Sequence, residues 1–193
     1  SGNKVIWIPL DGKWMDIGRP WDLIDANEFF LGNINNFISK NSKVSSNSIL
    51  ESPIFIDEGA TIESSEIKSP CLVSKNVNIG INSVIHMSVL RKNVKVGNNC
   101  IIENSVLMDG VTVGDNSIIS YSIIGEDSNI GNSVVFQSSS DKSILFEIKG
   151  KLIDSNRKKL GSVLGKKVKI ENNVTISPGQ KIESGKLISK NIK

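Results

Sequence analysis

Ile79-Gly-Ile-Asn-Ser-Val-Ile-His-Met-Ser-Val-Leu90 lies in register with Val96-Gly-Asn-Asn-Cys-Ile-Ile-Glu-Asn-Ser-Val-Leu107, and that with Val113-Gly-Asp-Asn-Ser-Ile-Ile-Ser-Tyr-Ser-Ile-Ile124. Aliphatic-Gly pairs recur at Ile79-Gly80, Val96-Gly97, Val113-Gly114 and Ile130-Gly131. The step is constant, because 96−79, 113−96 and 130−113 all equal 17. Asn82, Asn99 and Asn116 coincide in this register, as do Ser88, Ser105 and Ser122. More loosely, Pro53-Ile-Phe-Ile56 falls one period before Pro70-Cys-Leu-Val73, so the repeat spans residues 45–135.

Each period holds three short runs of Val, Ile or Leu separated by Gly, Asn, Asp, Ser or Lys. β-Branched residues suit a pleated surface, and Gly and Asn tolerate the backbone angles of corners, so each period reads as three short strands with turns. Stacked coils bury a continuous core that one coil cannot bury alone. The pattern predicts a mainly β chain built as a parallel β-helix of hexapeptide-like turns, with its handedness left open.

A chain of 193 residues with 5% aromatics fits one narrow solenoid filled by Ile and Val, or one domain plus a fragment. No run of eighteen apolar residues and no signal-peptide pattern is present, so a soluble, cytoplasmic protein is expected, with neither membrane nor nucleic acid as partner. Cys71 and Cys100 read as small buried or turn residues rather than a disulfide or metal pair. Charge is uneven: residues 1–137 carry 10 Lys/Arg against 15 Asp/Glu, and residues 138–193 carry 13 against 5. The basic end suits phosphates, an acidic neighbour in an oligomer, or simple solvation.

Before the repeats, Ser1-Gly2 reads as a cloning remnant, and Val5-Ile-Trp-Ile-Pro-Leu10 as a strand entering a turn at Asp11-Gly12. Pro20 at a first helical turn, Asp22 and Asp25 near its positive end, and the spacing of Leu23, Phe30, Ile34, Phe37 and Ile38 predict a helix of about twenty residues ending near Ser39. After the repeats, apolar residues flank Lys149-Gly150-Lys151, which predicts a hairpin or projecting arm over residues 140–160, suited to packing on a neighbouring subunit. Coil spacing resumes from Leu160 to Ile176.

Trp14-Met-Asp-Ile-Gly-Arg-Pro-Trp-Asp-Leu-Ile-Asp-Ala-Asn27, followed directly by these repeats, resembles the segment that closes the catalytic domain of sugar-1-phosphate nucleotidylyltransferases. Lys149-Gly-Lys-Leu-Ile-Asp-Ser-Asn-Arg-Lys-Lys-Leu-Gly161 and Asn173-Val-Thr-Ile-Ser-Pro-Gly179 resemble the end of the archaeal bifunctional type, which adds an acetyltransferase. The resemblance implies a left-handed β-helix over residues 40–193, preceded by residues 1–39 as the end of the nucleotidylyltransferase domain. It also implies a homo-oligomer, most often trimeric, and a parent enzyme that takes a nucleotide and a sugar-1-phosphate with Mg2+. The catalytic Gly-rich loop lies outside this sequence.

For the site residues, the resemblance implies that Asp16 helps hold the divalent cation of the whole enzyme; a turn-and-cap role is its alternative. Lys149, Lys151, Arg157, Lys158 and Lys159 would be phosphate contacts, or else inter-subunit contacts. The histidine that an acetyltransferase of this type uses as general base falls on Asp115, a weak base at neutral pH. The single histidine, His86, lies in an earlier coil, at a position filled by Glu103 and Ser120 in the following periods. The expected function is therefore an oligomerising and bracing domain. The alternatives are an acetyl-CoA-dependent N-acetyltransferase acting on an amino-sugar-1-phosphate, and a non-enzymatic β-helix module of a larger complex.

Overall fold

The computed structural model describes residues 5–193; residues 1–4, and with them the Ser1-Gly2 pair, lie outside it. The repeats wind into a left-handed parallel β-helix whose cross-section is a triangle with three sheet faces. Face A contains eight strands, from Phe37–Ile38 to Lys181–Ile182. Face B also has eight, from Lys43–Val44 to Leu187–Ile188, and face C seven, from Ile49–Leu50 to Thr175–Ile176. All pairing within these faces is parallel and follows the repeat, as in Val89↔Val106, Lys95↔Thr112 and Ile101↔Ile118.

Because side chains alternate along a strand, each two-residue strand turns one residue inward, and the strands Ile54–Ile56 and Cys71–Val73 turn in two. Ile85, Ile102 and Ile119 of face C, Leu90, Leu107 and Ile124 of face A, and Ile79 and Ile130 of face B are at most 1% exposed. They stack into one continuous aliphatic core with Phe136 near its C-terminal end. Corners need a positive φ, which explains the coincident asparagines: Asn82, Asn99 and Asn116 have φ of 57°, 55° and 61°. Their side chains continue the stacking, with Asn82 Nδ2 donating to Asn99 Oδ1 at 2.9 Å and Asn99 Nδ2 to Asn116 Oδ1 at 3.3 Å.

The helix is shorter than its apolar spacing predicts. It covers Pro20–Leu31, 12 residues, opened by Asp22 Oδ2 accepting from the Arg19 amide at 2.8 Å. It is closed by the Gly32 amide donating to the Glu28 carbonyl and by Asn33 Nδ2 donating to the Phe29 carbonyl. Phe37 and Ile38 do not extend it, because they pair with Phe55 and Ile56 as the first strand of face A, where the Phe37 and Phe55 rings stack at 5.0 Å. The β-helix thus begins at Phe37. Val5 to Leu10 form no strand: no neighbouring strand among the described residues is available to pair with them, and Val5, Trp7 and Ile8 are 93%, 82% and 84% exposed.

After Phe136 the chain leaves the coil, forms an antiparallel hairpin of Leu145–Ile148 with Lys151–Asp154, and returns at Val163. Where Ser105 and Ser122 stand 17 apart in neighbouring coils, Ser122 and Ser162 stand 40 apart. Ile123 still pairs with Val163 and Asn129 with Lys169, so residues 138–160 are inserted without disturbing the rungs. The hairpin folds back onto the same chain and does not project. Phe146, Ile144 and Leu160 pack with Trp21 and Ile24 of the helix over Ile123 of face A. Trp21 and Phe146 meet edge to face at 6.0 Å.

Candidate functional site: the glycine corner and the basic arm

Asp115 stands in the corner between faces B and C, and its surroundings explain the aliphatic-Gly signature. A Cβ at Gly97 would lie 2.3 Å from Asp115 Oδ1 and 2.8 Å from its amide nitrogen. Glycine therefore makes room for the side chain of the next coil. Through that opening Asp115 Oδ1 accepts from the Asn98 amide at 2.7 Å, while the Asp115 amide donates to Asn132 Oδ1 at 2.9 Å. The same contact repeats up the corner, with the Ile81 amide donating to Asn98 Oδ1 at 2.9 Å and the Asn132 amide to Asn172 Oδ1 at 2.8 Å. Asp115 occupies a rung of an Asn/Asp ladder that satisfies backbone amides left over at the turn. One carboxylate oxygen is committed to that work.

Two inner corner columns use hydroxyl groups in the same way. Ser88 Oγ, Ser105 Oγ and Ser122 Oγ each donate to a carbonyl two residues back, and each of them accepts the amide of its counterpart in the next coil, at 3.0–3.1 Å. Both cysteines belong to these columns. Cys71 is one period before Ser88, and Cys100 lies between Ser83 and Ser117, its Sγ 3.2 Å from the Gly114 carbonyl oxygen. Both are free and buried, and burial pushes the Cys71 thiol up to about 11. As their sequence context predicts, both are small buried residues, and each fills a serine's place in its column, one period from Ser88 and Ser83 respectively.

His86 lies on the outer surface of face C, in register with Lys68 in the preceding coil and Glu103 in the next. The five basic candidates are not gathered into one site. Lys149 and Lys151 sit at the exposed hairpin tip, where Lys149 and Gly150 adopt φ of 51° and 76°. Arg157 is held by an ion pair to Asp25 of the helix, and Lys159 Nζ lies 5.6 Å from the Tyr121 ring centroid. Lys158 is exposed beside it, its carbonyl accepting from the Ser140 amide at 3.0 Å.

Asp16 is exposed ahead of the helix. An ideal Cβ at Gly18 would stand 4.0 Å from both Asp16 Oδ2 and Asp22 Oδ2, but Asp22 is engaged in the helix cap. Among the described residues no three His, Cys, Asp or Glu side chains come together as a metal cage. No helix among the described residues is long and apolar enough to cross a membrane.

By sequence, the chain is 43% identical over 61 residues to the bifunctional protein GlmU of Methanococcus aeolicus, a stretch covering 32% of this chain and 14% of that protein. It is 38% identical over 63 residues to a bifunctional sugar-1-phosphate nucleotidylyltransferase/acetyltransferase of Sulfurisphaera tokodaii, covering 32% and 15%. The match thus spans about one seventh of the length of these relatives. Among solved structures, a variant of the N-acyltransferase AntD from Bacillus cereus, in complex with dTDP and coenzyme A, gives a TM-score of 0.46 at 14% identity, the alignment covering 62% of this chain and 91% of the other. The family model described as GMPPB C-terminal domain matches residues 67–193, from the second coil to the last residue and through the inserted hairpin. On that match, which takes in well over half of its length, the chain belongs to the GMPPB C-terminal domain family.

Proposed function

We propose that this β-helix oligomerises and braces a sugar-1-phosphate nucleotidylyltransferase, with the segment ahead of Phe37 closing that enzyme's catalytic domain. The reaction of the whole protein is attack of a sugar-1-phosphate oxygen on the α-phosphorus of a nucleoside triphosphate. The new P–O bond forms as the bond to pyrophosphate breaks, with Mg2+ supplying charge neutralisation when bound. Such a reaction belongs in the cytoplasm, where nucleoside triphosphates are available. The observation that carries the reading is the state of the opening segment. Val5, Ile6, Trp7, Ile8, Leu10 and Trp14 are all at least 72% exposed, a density of apolar side chains that calls for a covering domain.

Two other residues speak against acetyl transfer. At the position of the family's base, Asp115 serves the corner ladder, and Arg157 is paired with Asp25. A coenzyme A phosphate would then have Lys149, Lys151, Lys158 and Lys159 to meet it, with Arg157 already engaged.

The whole protein, of which this chain would be the C-terminal part, is expected to release pyrophosphate from a nucleoside triphosphate in the presence of a sugar-1-phosphate and Mg2+. This chain alone should release none. Thiol release from acetyl-CoA by the chain with glucosamine-1-phosphate, abolished in Asp115→Ala, would establish the acetyltransferase instead. Absence of both activities from the whole protein would leave the non-enzymatic module.

A further inference from the structure

The helix Pro20–Leu31 is fastened along one flank and unfastened along the other. At 3.6 residues per turn, Trp21, Ile24 and Asp25 fall on one side, and Ala26, Asn27 and Phe30 on the opposite side. The first side meets the inserted arm. Trp21 packs edge to face on Phe146, Ile24 joins the same cluster with Ile144 and Leu160, and Asp25 takes the guanidinium of Arg157. Beyond the helix's own caps, that ion pair is the only polar side-chain bond among the described residues that ties the helix to the rest of the chain. On the second side a cleft of about 210 Å³ separates Phe30 and Asn27 from Val89, Arg91 and Met108 of the coil. Among the described residues no hydrogen bond or ion pair crosses it.

The arm that holds the helix is itself seated on the coil. The Leu160 and Gly161 amides donate to the Ser138 and Tyr121 carbonyls at 2.8 and 2.9 Å. Within the arm, the Ile144 amide donates to the Arg157 carbonyl at 2.8 Å, and the Ser155 hydroxyl to the Ile144 carbonyl at 2.6 Å. One coil on, Gly179 leaves room for this base, since a Cβ there would lie 2.5 Å from the Leu145 carbonyl oxygen and 2.7 Å from Ile144 Cγ2. Phe146 and Arg157 are thus presented to the helix from a fixed support. Apolar burial holds without direction, whereas an edge-to-face ring pair and a charged hydrogen bond are directional. The Arg157 and Asp25 side chains are 30% and 38% exposed, so their pair is weak; Phe146 supplies the hold and Arg157 helps to aim it.

We infer that residues 138–160 are a clasp that fixes the direction of the helix, and that the helix has a second position, swung into the cleft toward Arg91, from which the clasp keeps it. The pivot is the stretch from Gly32 to Asn36, which joins the helix to the first rung at Phe37. On the bracing role proposed above, the clasp sets how the catalytic domain stands on the coil; the clasp itself rests only on contacts within this chain.

Amide hydrogen exchange in the full chain tests the hold. Phe146→Ala should speed exchange of the helix amides by about tenfold or more, while the Ile85 and Ile102 amides inside the coil stay as slow as before. Arg157→Asp should speed helix exchange to a smaller extent, and adding Asp25→Arg should bring it back. Paired nitroxides test the direction, placed on Glu28→Cys of the helix and Lys95→Cys of face B in the chain with Cys71→Ser and Cys100→Ser. Arg91 leads round the corner to Lys95, so a swing into the cleft shortens the distance between the labels. One narrow distance is expected, joined by a shorter one in Phe146→Ala. Helix exchange that neither change alters, or equal acceleration in helix and coil, overturns the clasp. A shorter distance that fails to appear overturns the second position. These readouts need no nucleotidyl transfer, so their failure leaves the catalytic reading untouched, and failure of that reading leaves the clasp standing.

Discussion

Ser105 donates to the Glu103 carbonyl at 2.7 Å and accepts the Ser122 amide at 3.1 Å, at a site with no access to water. Ser105→Ala leaves that amide buried without a partner, which costs about 1–3 kcal/mol. Cys100→Ser places a hydroxyl in a column where Ser83 and Ser117 already bond in this way, and is expected to change stability by less than about 1 kcal/mol. Urea unfolding of the two variants checks the contrast; equal losses would show that the columns do not stabilise through their hydroxyls. Asp115 teaches a related lesson. Its place in the repeat is readable from Gly97-Asn98 and Gly114-Asp115, but its bond to the Asn98 amide appears only when one coil is laid over another.

The helix and the inserted hairpin pack on one another beside the coil. Trp21, Phe146, Ile144 and Leu160 form a small core outside the β-helix, and Arg157 reaches Asp25 from the far end of the sequence. Deletion of residues 138–160 brings Val163 to the ordinary one-period distance from its ladder partner Ile123. The coil is expected to keep its β-type circular dichroism, while Trp21 loses its cover and tryptophan fluorescence shifts to the red. Loss of the β spectrum would show that the arm is required for winding. At this scale the sequence was only partly legible. The period specified strands and corners, and Lys149-Gly150 specified the hairpin turn. The helix end was misread because Phe37 and Ile38 continue a helical spacing while their ladder partners, Phe55 and Ile56, are a full coil away. The exposed Val5–Leu10 stretch has strand composition without a partner strand among the described residues, a condition that no local pattern reveals.

Over the whole molecule, each coil touches only its neighbours above and below, so stability depends on position along the axis. Ile102, fully buried with coils on both sides, is expected to cost about 2–5 kcal/mol on replacement by alanine. Ile188 pairs only with Ile170, in the last rung of face B, and is half-buried; its replacement should cost clearly less. Denaturant midpoints of the two variants compare the interior with the end, and equal losses would mean that the solenoid unfolds without regard to position. The fold was legible at this scale because one short sentence is spoken many times. What covers its outer surfaces was not, since the choice between solvent, helix and hairpin depends on how columns from separate coils line up.

The uninterrupted rungs on either side of the inserted segment have a practical consequence. A corner that releases the chain after Phe136 and takes it back at Val163 is an entry port for foreign sequence. A fluorescent peptide or affinity epitope spliced between Lys149 and Gly150 would stand at an exposed tip, joined to the scaffold through a turn that bears no coil contact. Labelled there, the chain would report on its neighbours while its winding stayed as it is.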